Sequence, residues 1–144
     1  MAKIEKFEDI EAWKVAREIS RQAYYITRSG DLAKDFGLRD QVRRSAVSVM
    51  ANIAEGFDSG SNREFVRFLA YALRSATELQ SHLYVALDQD YLNKQEFDTL
   101  FMSTTKCKNL ISGFARYLRS HSKSQKTQLG TLNVELRTRK EDDG

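Results

Sequence analysis

Apolar positions recur every three or four residues through most of this chain, and the pattern breaks at only a few places. At about 100° per residue, Ala12, Ala16, Ile19, Ala23 and Ile26 form one stripe. They predict a first helix from near Asp9 to about Arg28, with Trp13 and Tyr24 flanking the stripe. Ser29-Gly30-Asp31 is a stop signal, and 31–37 reads as a short connection. A second helix is predicted from about Leu38 to Gly56. Leu38, Val42, Ala46, Val49, Ile53 and Gly56 fall on one side of it, and Val47, Met50, Ala51 and Ala54 on the other. A helix apolar nearly all round is buried nearly all round, whereas a small bundle covers only one side of each helix. The second side therefore predicts a partner subunit, with Arg43, Val47, Met50, Ala51 and Ala54 at the interface.

Gly56 to Gly60 interrupts the period. Ser61-Asn62-Arg63-Glu64 is a capping box, in which Ser61 accepts from the Glu64 N–H and the Glu64 carboxylate reaches back. It opens a third helix, about Asn62 to Leu87, with Phe65, Phe68, Leu69, Ala72, Leu73, Ala76, Leu79, Leu83 and Leu87 as its core stripe. The spacing approximates a heptad, as in helices crossing at about 20°. Asp88 to Leu92 reads as a turn, and Asn93-Lys94-Gln95-Glu96 as a second capping signature. The fourth helix runs from about Lys94 to Ser120, with Phe97, Leu100, Phe101, Thr104, Cys107, Ile111, Phe114 and Leu118 inward. Four amphipathic helices with short links predict an all-α, antiparallel up-down-up-down four-helix bundle over residues 1–121. From 122 to 144 the chain is polar, and Leu129, Leu132, Val134 and Leu136 are too sparse for a second core. That stretch reads as a flexible tail.

Composition sharpens this. The 144 residues suffice for one domain. Proline does not occur, which suits long helices, since proline costs about 3 kcal/mol inside one. Cys107 is the only cysteine, so no intramolecular disulfide forms and a reducing cytosol fits. Met1 to Lys6 is charged and unlike a signal peptide. No apolar run approaches the roughly 20 residues that span a bilayer. The expectation is a cytoplasmic protein without a membrane segment.

Phe7-Glu8-Asp9-Ile10 with Trp13, then Asp40-Gln41-Val42-Arg43-Arg44-Ser45-Ala46-Val47-Ser48, Asn52-Ile53-Ala54-Glu55-Gly56-Phe57 and Glu64-Phe65-Val66-Arg67-Phe68-Leu69 together carry a resemblance. The chain resembles, over roughly residues 7 to 120, the four-helix-bundle proteins encoded in intervening sequences of bacterial large-subunit ribosomal RNA genes. Asn52 to Phe57 is the most specific part. The resemblance implies a ring-like homo-oligomer, a homopentamer, with no settled biochemical activity. A distantly similar protein is the accessory protein of diversity-generating retroelements, a pentameric bundle that binds nucleic acid and its reverse transcriptase. The sequence departs from the pattern at Met50, where the resemblance leads one to expect proline. That departure predicts a straighter second helix, since proline bends a helix interior.

Charge supplies the candidate chemistry. Residues 99–134 hold no acidic residue but six cations, Lys106, Lys108, Arg116, Arg119, Lys123 and Lys126. Lys108, Arg116, Arg119, Lys123 and Lys126 fall within an arc of about 80° on a helical wheel. Such a ridge suits phosphate contacts, which need long cationic side chains; a solvated helix end favoured by the dipole is the plain alternative. Arg63, Arg67 and Arg74 share the outer face of the third helix, either as a cationic surface or as an exposed or interfacial polar face. Arg43 and Arg44 read as interface or ion-pair partners.

Catalytic and metal chemistry find little support. Asn52 and Glu55 read as capping or cross-helix hydrogen-bonding groups, with Arg44 or the 59–62 backbone as donors to Glu55, rather than as an acid–base pair. A di-iron bundle needs Glu-x-x-His on two helices, whereas Glu78 and His82 are four apart and His121 is the only other histidine. Cys107 lies on the core stripe, with no histidine placed by sequence to activate it. Phosphate-cradling glycine loops and nucleophile elbows do not appear. The reading is a non-enzymatic homo-oligomer without cofactor or metal that binds RNA or DNA through basic surface residues. The alternative is a protein-interaction scaffold without nucleic acid.

Overall fold

The first turn and three of the long helices start on side chains that accept otherwise unpaired backbone N–H groups. In the computed structural model, which describes residues 3–121, Asp9 closes a 3₁₀ turn, Phe7–Asp9, by accepting from the Glu5 and Lys6 N–H groups at 2.9 and 3.2 Å. Helix α1, Glu11–Thr27, follows directly. Its inward side is Ala12, Trp13, Ala16, Ile19, Ser20, Ala23 and Thr27, while the expected stripe member Ile26 is only half-buried. The Phe7 ring meets Trp13 edge-on at 5.1 Å and so pins the turn to α1.

The predicted connection 31–37 is instead mostly helical. Gly30–Lys34 forms a short helix, α2, anchored by the buried Leu32. Gly30 takes a φ of +73°, a left-handed conformation that glycine adopts cheaply. Asp35 then accepts from the Leu38 N–H at 3.2 Å and starts α3, Phe36–Phe57, two residues before the predicted Leu38. The third long helix, α4, Asn62–Asp88, opens on Ser61, which accepts from the Glu64 N–H at 3.1 Å. Only half of the expected box forms there, because the Glu64 carboxylate turns to Arg67 at 3.4 Å. Helix α5, Lys94–Ser120, has the complete box. Asn93 accepts from the Glu96 N–H at 2.8 Å, and Glu96 accepts from the Asn93 N–H at 2.9 Å.

The four long helices form one four-helix arrangement. Each of α1 and α4 packs against both α3 and α5. No strand occurs among the described residues. One core joins them, with Ile19, Val42, Ile53, Leu69, Leu79, Leu83, Ile111 and Leu118 removed from water. Burying such a side chain contributes about 1.5–3 kcal/mol, so this shared interior dominates the stability. Tyr91, in the α4–α5 link, donates to Asp35 at 2.9 Å and ties that link to the start of α3. The same bond, with burial and the charges of Asp35 and Asp31, raises the Tyr91 pKa.

The packing of α4 on α3 explains the motif around Gly56. A Cβ built on Gly56 would lie 2.8 Å from Phe65 Cδ1 and 2.9 Å from Phe68 Cβ. Hydrogen alone fits there, and the Phe57 ring then packs edge-on against Phe65 at 6.2 Å. Helix α3 runs unbroken through Met50, whose sulfur accepts from the Ser20 hydroxyl at 3.3 Å. The predicted tail, 122–144, lies outside the described residues.

Candidate nucleic-acid and subunit surfaces

Helix α4 presents Arg63, Arg67 and Arg74 on its exposed outer side. They are placed by the same periodicity that turns Phe65, Leu69, Ala72 and Ala76 inward. Arg67 and Arg74 both lie against the Tyr71 ring, at 5.5 and 5.7 Å. Tyr71 in turn meets Phe68 edge-on at 5.8 Å. This ladder was not recognised from sequence, although its signal is there: Arg67, Tyr71 and Arg74 follow an i, i+4, i+7 spacing, which stacks side chains on one helix face. Ring contact holds the two guanidinium groups close to the helix while leaving their outer sides open. Glu64 supplies one nearby counter-charge through Arg67, and Glu78 is exposed one turn beyond Arg74.

The ridge predicted on the last helix divides. Arg116 and Arg119 are exposed near the end of α5. Lys108 is half-buried, and its Nζ donates to Gln80 Oε1 at 3.0 Å. Gln80 donates in turn to the Phe101 carbonyl and the Thr105 hydroxyl, at 3.2 and 2.9 Å. Lys108 thus belongs to a polar bridge between α4 and α5. Lys123 and Lys126 lie outside the described residues. Asn62 donates to the Leu118 carbonyl at 3.4 Å and brings the start of α4 beside the end of α5. Arg63 and Arg67 therefore stand at the same end of the bundle as Arg116 and Arg119.

The second apolar side of α3 also divides. Met50 and Ala54 are partly buried against the chain's own core. Arg43 donates to the Thr27 hydroxyl at 2.7 Å and the Thr27 carbonyl at 3.3 Å, and covers the Tyr24 ring at 4.5 Å. Those contacts satisfy Arg43 within one chain. Val47 is exposed and Ala51 half-exposed, so these two carry the outward part of the predicted interface.

Asn52 donates to the Ser48 carbonyl and hydroxyl at 2.9 and 3.0 Å, and the Ser75 hydroxyl bonds Ser48 across to α4 at 2.9 Å. Asn52 thus bonds one turn back within α3 and reaches α4 only through Ser48, whereas the sequence led to a capping or cross-helix role. Glu55 is exposed and needs no buried donor. Cys107 is fully buried, and its thiol donates to the Ala12 carbonyl at 3.6 Å. Burial pushes that thiol up to about 12, which keeps it in the unreactive neutral form at ordinary pH. Among the described residues, no three His, Cys, Asp or Glu side chains are grouped so as to hold a metal ion. No described helix is long and apolar enough to cross a membrane.

Four long helices around one core, with arginines on outer helix faces, define a small all-helical bundle protein. The chain belongs to the 23S rRNA-intervening sequence protein family, whose family model matches residues 8–113. A solved protein of unknown function from the S23 ribosomal protein family of Bacteroides thetaiotaomicron has a similar fold, with a TM-score of 0.66 and 21% identity, over 72% of this chain and 97% of that one. At that identity the likeness concerns the fold alone. No curated protein matches this sequence.

Proposed function

We propose that this chain is a non-enzymatic, up-down-up-down helical bundle that assembles as a closed homo-oligomer, a pentamer, and binds RNA or DNA backbone in the cytoplasm. Antiparallel order is supported by the cross-helix bonds of Thr27 with Arg43, Ser48 with Ser75 and Asn62 with Leu118. Assembly is supported by the outward Val47 and Ala51 on α3. The observation that carries nucleic-acid binding is the outer face of α4, where Arg63, Arg67 and Arg74 are exposed and two of them are steadied on Tyr71. Arginines held this way neutralise phosphates without reading bases. A ring multiplies the face by the number of copies. The family's name refers to 23S rRNA and its solved neighbour's to a ribosomal protein family, which makes RNA the first ligand to try.

Filter binding of single-stranded RNA at 50 and 200 mM salt tests the reading. Three phosphates neutralised per bound strand predict a loss of roughly twentyfold in affinity across that range. Replacing Arg63, Arg67 and Arg74 by Ala removes most of both the affinity and the salt slope. Failure to bind RNA or DNA at the lower salt ends the proposal. A scaffold that binds protein alone is the second reading, favoured by the exposed Tyr25 and Phe36 rings. Purified protein with an absorbance ratio of pure protein, and no retained nucleic acid, would support it.

A further inference from the structure

The outer faces of α1 and α4 carry one pattern twice. Arg17-Glu18-x-x-Arg21-x-x-x-Tyr25-x-x-Arg28 has the residue types and spacing of Arg63-Glu64-x-x-Arg67-x-x-x-Tyr71-x-x-Arg74, while the intervening positions all differ. The local contacts repeat as well. Arg21 meets Glu18 at 3.5 Å, as Arg67 meets Glu64 at 3.4 Å. Arg28 lies over the Tyr25 ring at 5.4 Å, as Arg74 lies over Tyr71 at 5.7 Å. All six arginines are exposed.

Helical period turns these positions outward, but it does not make them Arg and Tyr. Inward, Ile19, Ala23 and Ile26 stand where α4 has Phe65, Leu69 and Ala72. The likeness is thus confined to the outer sides, where packing within the chain makes no such demand. Glu11 and Glu18 are the exposed carboxylates of α1, against Lys14, Arg17, Arg21 and the closing Arg28, so cations are in excess there. Beyond Arg28, Asp31 and Lys34 on α2 cancel.

The two faces differ in position and in grip. Helices α1 and α4 each pack on α3 and α5, so they sit diagonally and their outer faces point away from each other. Tyr71 gathers both Arg67 and Arg74. On α1 the contacts are spread over two rings, with Arg28 over Tyr25 and Arg17 over Trp13 at 5.8 Å. Guanidinium groups held in one place lose less freedom on binding, so the α1 face is the weaker of the two.

We infer that Arg17, Arg21 and Arg28 form a second, weaker phosphate-binding face, so that each copy holds two stretches of nucleic acid on opposite sides. This rests on the nucleic-acid reading above and adds a second site for the same class of ligand. Filter binding of single-stranded RNA at 50 mM salt tests it, starting from the Arg63, Arg67 and Arg74→Ala variant. That variant keeps a weak, salt-sensitive binding. Adding Arg17→Ala, Arg21→Ala and Arg28→Ala lowers the remaining affinity by about tenfold or more. Lysine at the same three positions retains it, because the charge is kept. Taking the same charge from Lys3, Lys34 and Lys94, which lie outside both faces, also leaves it in place. Equal losses from the Lys3, Lys34 and Lys94 set and the α1 set would overturn the inference, as would loss in the lysine version or an α1 set without effect. In each of those cases the α4 reading stands, whereas wild-type protein that binds no RNA or DNA ends both.

Discussion

The aromatic residues work differently at the two ends of the bundle. Where α3 ends and α4 begins, rings face rings: Phe57 meets Phe65, and Phe65 meets Phe114 at 5.2 Å, each edge-on. Gly56 admits Phe65 so closely that no other residue type fits. Where α1 ends and α3 begins, rings face arginines: Arg43 over Tyr24 at 4.5 Å, Arg39 over Phe36 at 4.8 Å and Arg28 over Tyr25 at 5.4 Å. An exposed cation–π contact is worth about 0.5–1 kcal/mol, against about 1.5–3 kcal/mol for burying a Phe. The first region is closed and holds the chain together. The second contributes less to folding and leaves its rings available to another molecule.

The largest effect follows from breaking the closed end. Phe65→Ala removes a ring shared by Phe57 and Phe114, and should cost about 3–5 kcal/mol in a urea melt. Gly56→Ala should cost about 1–3 kcal/mol, because Phe65 and the Phe68 Cβ have to shift. If both variants melt like wild type, the two ends do not differ as argued.

The open side is probed next, through assembly. Val47→Asp places a charge on an outward residue and should give single chains in light scattering with unchanged helix content. Met50→Asp looks equivalent in sequence, yet Met50 is partly buried against the core beside Ser20. It should unfold the chain, since an unpaired buried charge costs several kcal/mol. A Val47→Asp variant that keeps its wild-type mass would show that this face meets no partner.

A pH dependence separates the interior from the surface more gently. The Cys107 thiol is pushed up from 9.0 to about 12 by burial, so its neutral form is favoured when folded. That contribution is fully present below pH 9 and is lost as pH rises toward 12, where the unfolded chain releases the proton first. Stability should therefore begin to fall above pH 9, and less so in Cys107→Ala relative to its own value at pH 8. An equal slope in both would remove Cys107 as the cause.

Much of the fold was legible because long helices repeat their signal many times. The bounds of α5 came from Asn93 at one end and the loss of the stripe after Leu118 at the other, and seven turns between them left little room for error. Helix α2 was missed because five residues hold barely one period, and Leu32 alone marks the buried side. Surface positions were partly legible. Periodicity says that Arg43 and Lys108 leave the core stripe, but not that Thr27 and Gln80 wait on neighbouring helices. Cross-helix partners depend on the register between helices, and one helix's pattern does not contain it. The outward positions of Arg63, Arg67 and Arg74 follow the period of α4 alone, since among the described residues no other helix covers that side.

The smallest effect concerns the two helix starts that share one capping motif. At α5, Glu96 reaches back to Asn93; at α4, Glu64 turns forward to Arg67 instead. The Glu64–Arg67 pair is largely exposed, so it is worth about 0–1 kcal/mol at most. Glu64→Gln should therefore leave the melt within about 0.5 kcal/mol of wild type. It also removes the nearest carboxylate from the arginine face, so RNA should bind severalfold more tightly and with a steeper salt dependence. Glu96→Gln is the control: it weakens a cap on the far end of the bundle and should leave RNA binding unchanged. Equal RNA binding by Glu64→Gln and wild type would mean that the α4 arginines do not meet phosphate, however well the bundle folds.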